Sequence, residues 1–153
     1  MTPQEEYHLF LDYVVKTIER RGTITTTYLS VNAAIIGAIA FVVKDILWDE
    51  LWKYTAVLGL TVAGLIACNL WIRLNRQYSI LLKWWYERLR SLEEVIPGSH
   101  QLLTAEYRDL YAPGSRNISL MRYERGLAWL FSALYLITGA VLVEMMIVQY
   151  MMR

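Results

Sequence analysis

Apolar positions along the 153-residue chain gather into three long runs separated by charged segments. Residues 23–43 hold no Asp, Glu, Lys or Arg over 21 positions, residues 54–72 none over 19, and residues 126–143 none over 18. A helix crosses a bilayer with roughly 17–25 such residues, so each run predicts a membrane span. The third run continues past Glu144 into MMIVQYMM, which sets that span at 126–145. The competing reading is three apolar helices buried in a soluble protein. It needs more covering surface than a chain of this length supplies. The predicted fold class is therefore all-α, a three-span helical membrane protein forming one membrane domain.

The intervening segments carry helical periodicity of their own. Over 3–21, Tyr7, Phe10, Leu11, Val14, Val15 and Ile18 fall at the spacing of an amphipathic helix. Thr2 stands at its cap, Pro3 at its first position, and Glu5 and Glu6 in its first turn. Lys16, Arg20 and Arg21 stand near its end, the order the helix dipole favours. Gly22 allows a bend before the span at 23–43. Helices that lie on lipid usually show a basic polar face. This one carries Glu5, Glu6, Asp12 and Glu19, which favours packing on another protein helix.

A partner for it follows the second span. No Gly or Pro interrupts residues 65–96, so the helix of span 54–72 is expected to continue to about residue 94. Leu74, Tyr78, Leu81, Trp85, Leu89 and Leu92 recur along it in near-heptad steps and predict a packing seam. Leu82 and Trp84 widen the buried face, and Trp84 and Trp85 point to different sides. The seam is expected to meet the N-terminal helix and neighbouring subunits. Pro97 and Gly98 end the helix. The segment 97–122 then reads as a loop with a short helix at 101–111. A turn follows at Pro113, Gly114, Ser115 and Asn117, and Asn117 or Ser119 caps the third span.

Charge changes the picture by giving it an orientation. Net charge is +1, with no basic field of the kind that binds nucleic acid. Lys16, Arg20 and Arg21 precede the first span, and nine basic residues lie over 73–125. Only Lys44, Lys53 and Arg153 fall on the opposite side. The positive-inside rule places the N-terminus and 73–125 in the cytoplasm, with the short hairpin and the C-terminus outside. Trp48, Trp52 and Tyr54 are then expected at the outer interface, and Trp71 and Trp129 near the inner one. The start, MTPQEEYHLF, lacks the basic and apolar regions of a cleavable signal peptide.

Candidate chemistry is sparse. Glu144 is the one ionisable residue flanked on both sides by long apolar sequence. A ring of Glu144 side chains around an oligomer axis could bind cations or protons. The plainer reading is that it marks the outer end of the third span, after about 27 Å of helix counted from Gly126. Asn32 and Asn69 are single amides inside the first and second spans, suited to bonds between helices or to lining a pore. The hydroxyls of Thr23, Thr25, Thr26 and Thr27 can bond their own helix backbone. Small residues at Ser30, Ala34 and Ala38, and at Gly59, Ala63 and Ala67, predict close packing of the membrane hairpin. Cys68 stands alone and reads as a small buried residue. His8 and His100 have no metal-ligand spacing, and the chain has no GxSxG, P-loop, GxGxxG or HExxH motif. The expectation is no enzyme, no metal and no cofactor.

The runs TYLSVNAAIIGAIAF, LWIRLNRQYSILLKWWYERLRSLEEVIP and RYERGLAWLFSALYL resemble the RipA family of bacterial membrane proteins. Asn32, Arg73, Asn75, Tyr78 and Glu93 are among the polar positions that carry the likeness. It implies a cytoplasmic N-terminal helix, a membrane hairpin with an extended second helix, a third span and an octamer in the bacterial inner membrane. A broader similarity is to SLATT-type membrane effectors, which are proposed to form pores. The combined expectation is a symmetric homo-oligomer with a cytoplasmic helical collar. It would serve as a membrane scaffold or assembly platform in envelope or stress adaptation. Its expected partners are lipid, its own copies and a cytoplasmic protein. The alternative is an ion-conducting pore or a membrane-disrupting defence effector.

Overall fold

The computed structural model describes residues 2–44, 50–98, 100–111 and 120–152. The expectations for Trp48, for the turn at Pro113, Gly114, Ser115 and Asn117, and for the cap at Asn117 or Ser119 lie outside the described residues. Among the described residues the chain is helical, with α1 at Pro3–Lys44, α2 at Glu50–Val95, α3 at Leu102–Glu106 and α4 at Leu120–Met151. A π-helical turn, Tyr107–Tyr111, continues α3. Helices α1, α2 and α4 are each long and apolar enough to cross a membrane.

The helix ends follow local chemistry. Glu5 N–H donates to Thr2 Oγ1 at 3.3 Å and Thr2 N–H donates to Glu5 Oε2 at 2.8 Å. This reciprocal capping box starts α1. The expected N-terminal helix and first span are segments of one 42-residue helix, and Gly22 does not end it. A mid-helix glycine costs only about 1 kcal/mol relative to alanine, which the helix-forming flanks offset. Helix α2 runs unbroken for 46 residues. It stops where Pro97 withholds an N–H and Gly98 takes a left-handed φ of 75°, a conformation that disfavours side chains with a Cβ.

Burial along α2 follows a strict alternation of four and three residues. Val57, Thr61, Gly64, Cys68, Trp71, Asn75, Leu82, Leu89 and Leu92 are buried, and Tyr78 and Trp85 on the same face are half-buried. Of the predicted seam residues, Tyr78, Trp85, Leu89 and Leu92 lie on this face, and Leu74 is half-buried beside it. Leu81 lies off this face within the chain, at 42% exposure, and Leu82 takes the seam position at 2%. Asn75 occupies a seam position as a polar residue, so counting apolar side chains shifts the register to Leu74 and Leu81.

Contacts divide the chain into two compact units, Met1–Thr23 with Leu74–Tyr123, and Ile24–Arg73 with Glu124–Arg153. In the first, Val14, Leu82 and Leu89 form a core flanked by Tyr7, Phe10, Trp85 and Leu103. Tyr13 stacks on Trp85 with centroids 5.6 Å apart, and Phe10 meets the same ring at 5.2 Å. The N-terminal segment of α1 thus packs on α2, as its acidic polar face predicts. Leu82 joins the buried face as expected, but Trp84 does not widen it: Trp84 is exposed, with its ring edge-to-face against Trp85 at 4.7 Å.

In the second unit, Val42 of α1, Val57 of α2 and Leu142 of α4 cluster at one level. Of the small residues predicted to close the hairpin, Ser30, Ala34, Gly59 and Ala63 are exposed, and Ala38 and Ala67 are half-buried. Close approach is made instead at Gly64, where an added Cβ would stand 2.6 Å from two ring carbons of Tyr135. Trp71, expected near the inner interface, is fully buried and stacked on Tyr28 at 6.0 Å.

Candidate functional site

Two polar centres organise the two units. The first joins all three spans. Asn32 on α1 is fully buried, with Cys68 on α2 at 0% and Tyr135 on α4 at 1% exposure. Asn32 Oδ1 accepts from Cys68 Sγ at 3.3 Å and from the Tyr135 hydroxyl at 3.1 Å. Asn32 Nδ2 donates to the Tyr28 carbonyl at 2.7 Å, and the Tyr135 hydroxyl also lies 3.4 Å from the Asn32 carbonyl oxygen. Both lone pairs of the amide oxygen are occupied. Each interhelical bond of this kind is worth roughly 0.6–2 kcal/mol in a membrane. The arrangement ties α1, α2 and α4 together. Around it, Thr61, Ser132 and Thr138 return their hydroxyls to carbonyls one turn back, at 2.7, 2.8 and 2.9 Å.

The second centre is Glu93, 3% exposed near the end of α2. Its Oε1 accepts from Leu103 N–H at 3.1 Å and from the Tyr7 hydroxyl at 3.2 Å. Its Oε2 accepts from Thr104 N–H and Thr104 Oγ1, both at 3.1 Å. Gln101 at the start of α3 provides no side-chain cap, so the α2 carboxylate satisfies the first free N–H groups of α3 instead. Arg90 lies 3.7 Å above the Tyr107 ring, and Arg88 reaches Glu6 at 3.6 Å. These contacts tie α1, α2 and the segment after α2 together within one unit.

Burial pushes the Tyr7 phenol above its ordinary value of 10.0, and the negative Glu93 carboxylate it donates to adds to the rise. Folding therefore holds the Tyr7 proton. Its stabilisation is complete below pH 10 and is lost as pH rises through the raised value. Near-ultraviolet circular dichroism of the aromatic cluster is expected to decay above pH 10. Tyr7→Phe is expected to remove that step; an unchanged step would contradict this assignment.

The predicted polar residues separate. Asn32 belongs to the interhelical tie. Asn69 is exposed, with no hydrogen-bond partner among the described residues, so it joins no helices within the chain. Glu144 is exposed on α4 and borders an apolar groove between α2 and α4. Thr23 Oγ1 donates to the Glu19 carbonyl at 3.2 Å as expected, whereas Thr25 Oγ1 is buried without a partner among the described residues. Among the described residues no cluster of His, Cys, Asp or Glu could hold a metal.

Sequence reasoning did not find Tyr135 or Gly64. Tyr135 sits within an apolar run and reads as one more lipid-compatible residue. Gly64 falls outside the i, i+4 rows of small residues that drew attention to Gly59. Glu93 stands among the polar positions of the resemblance, but its role depends on where the segment after α2 returns.

The model of the octameric membrane protein family (8xMP) matches residues 4–144. Neither the curated proteins nor the solved structures yield a match.

Proposed function

The chain belongs to the octameric membrane protein family, its match covering residues 4–144, and from that membership we propose that its copies form a closed, non-catalytic membrane ring serving as a scaffold. The unit built from the first part of α1 and the end of α2 is the docking module. It lies in the cytoplasm of a bacterium, on the side where the basic residues of 73–125 concentrate. Its partner is a cytoplasmic protein acting in envelope or stress adaptation.

One observation carries the choice of scaffold over pore. The buried amide of the first span, Asn32, spends its hydrogen-bonding capacity on Tyr28, Cys68 and Tyr135. A conducting path needs polar groups free to replace an ion's water. The first unit also presents apolar side chains for a partner, with Ile80 at 62%, Trp84 at 55% and Val95 at 64% exposure.

Purified protein in a planar lipid bilayer is expected to give no discrete current steps at any holding potential. Reproducible single-channel currents, lost in Glu144→Gln, would overturn the scaffold reading in favour of an ion-conducting ring.

A further inference from the structure

Helix α1 carries a second seam, on the side away from its own bundle. Ser30, Ala34, Gly37, Phe41 and Lys44 follow one another in steps of four, three, four and three, and all are exposed. Among the described residues nothing stands within 4 Å of the place of a Gly37 Cβ, and Phe41 is 69% exposed. A face of small residues ending in one protruding ring and one cation is shaped to enter a cavity.

A matching cavity lies on the other helices. A groove of about 590 Å³ runs between α2 and α4, bordered by Leu58, Val62, Gly139, Ala140, Glu144 and Ile147. Gly139 and Ala140 adjoin in its lining, and Glu144 is the one carboxylate on its border. None of the α1 seam residues lines it.

Depth decides whether the two surfaces can meet. In a ring whose axis is the membrane normal, every copy sits at the same height, so residues that pair between neighbours share a level within one chain. Val42, Val57 and Leu142 mark one such level. Helices α1 and α4 run in the same direction across the bundle, and α2 runs opposite. One residue back along α1 is Phe41, level with Leu58 on α2 and with the neighbourhood of Ala140 on α4. Two residues forward along α1 and α4 are Lys44 and Glu144, each displaced by about 3 Å in the same direction. Neither has an ion-pair partner among the described residues, and both are exposed. A carboxylate at the edge of hydrocarbon is costly unless paired.

We propose that each copy seats the Ser30–Ala34–Gly37–Phe41 face of its α1 in the α2–α4 groove of the next copy. Phe41 fills the hollow over Gly139 and Ala140, and Lys44 pairs with the neighbour's Glu144. The contact is head-to-tail, the kind that closes into a ring. It rests on the ring assembly proposed above and specifies its interface.

Three measurements on the full chain in detergent or nanodiscs test it. Native mass spectrometry of the unmodified chain comes first. A monomer there overturns the ring reading and this interface with it. Next, Lys44→Cys and Glu144→Cys are combined in a Cys68→Ser chain and treated with a short bismaleimide. A denaturing gel is expected to show a ladder of linked chains. An intact assembly whose chains are unlinked, or linked only within themselves, overturns the interface alone and leaves the groove to a lipid chain. Finally, Lys44→Glu and Glu144→Lys each lower the assembled fraction about tenfold, and the two together restore it. Full assembly in both single variants, or no recovery in the double one, overturns the pairing.

Discussion

Gly64→Leu is expected to prevent the three spans from assembling. The place of a Cβ at residue 64 is occupied by the Tyr135 ring, with two ring carbons 2.6 Å away. The ring can retreat only by withdrawing its hydroxyl from Asn32, where it donates at 3.1 Å. Overpacking costs about 1–3 kcal/mol. The lost interhelical bond adds roughly another 1 kcal/mol, and the Asn32 oxygen is left short of a donor in a setting without water. Gly64→Ala should be milder, yet still destabilising by about 2 kcal/mol. Thermal unfolding in detergent, followed by helical circular dichroism, checks both. Gly59→Ala serves as the control, because its Cβ would meet nothing within 4 Å, and it is expected to leave the transition unchanged. Gly64→Leu with wild-type stability would contradict the close approach of α2 and α4.

Glu93→Ala is expected to release α3 from α2. It strips partners from two backbone N–H groups, the Thr104 hydroxyl and the Tyr7 hydroxyl at once. Hydrogen bonds to a charged group are worth about 1.5–3 kcal/mol each, and unmet buried donors add their own cost. Water entering the opened site recovers part of this, leaving a loss of roughly 3 kcal/mol. Glu93→Gln is expected to fare little better, since its amide NH₂ would face either the two donors of Thr104 or those of Leu103 and Tyr7. Proteolysis after α2 reads the effect directly. Cleavage between residues 98 and 111 should accelerate in both variants while the membrane unit keeps its helicity. Equal protection of wild type and Glu93→Ala would show that the carboxylate does not hold this segment.

The spans were legible because hydrocarbon imposes a length and an absence of charge that no other setting imposes on a helix. The extension of α2 to Val95 was legible for a related reason: residues 65–96 offer no breaker, and Pro97 and Gly98 supply one. The seam's existence was readable from its heptad steps, but its register was not. Asn75 lies on the buried face and Leu81 off it, so polarity and burial part company where helices meet inside a polar-tolerant interface. At Gly22 the helix continues unbroken, and the chain passes from one compact unit to the other just after it, between Thr23 and Ile24.

The site was half visible. Asn32 stands out as an amide in an apolar run, but its partners come from positions 68 and 135, and no local pattern connects them. Tyr135 is amphipathic, and sequence alone does not say which of its ends matters. Trp71 misled for the same reason: an aromatic near the end of a span suggests the headgroup region, whereas here the ring is buried against Tyr28. Small residues invite the same misreading. Four of the six in the predicted rows are exposed, and the glycine that brings α2 and α4 together lies outside the rows.

The central claim is that this chain closes into a membrane ring whose buried Asn32 ties the three long helices of each copy together. Native mass spectrometry of the wild-type protein released from nanodiscs tests it most directly. The account predicts one dominant species of eight chains, the number its family is described by. A monomer, or an open-ended series of masses without a preferred size, would contradict it.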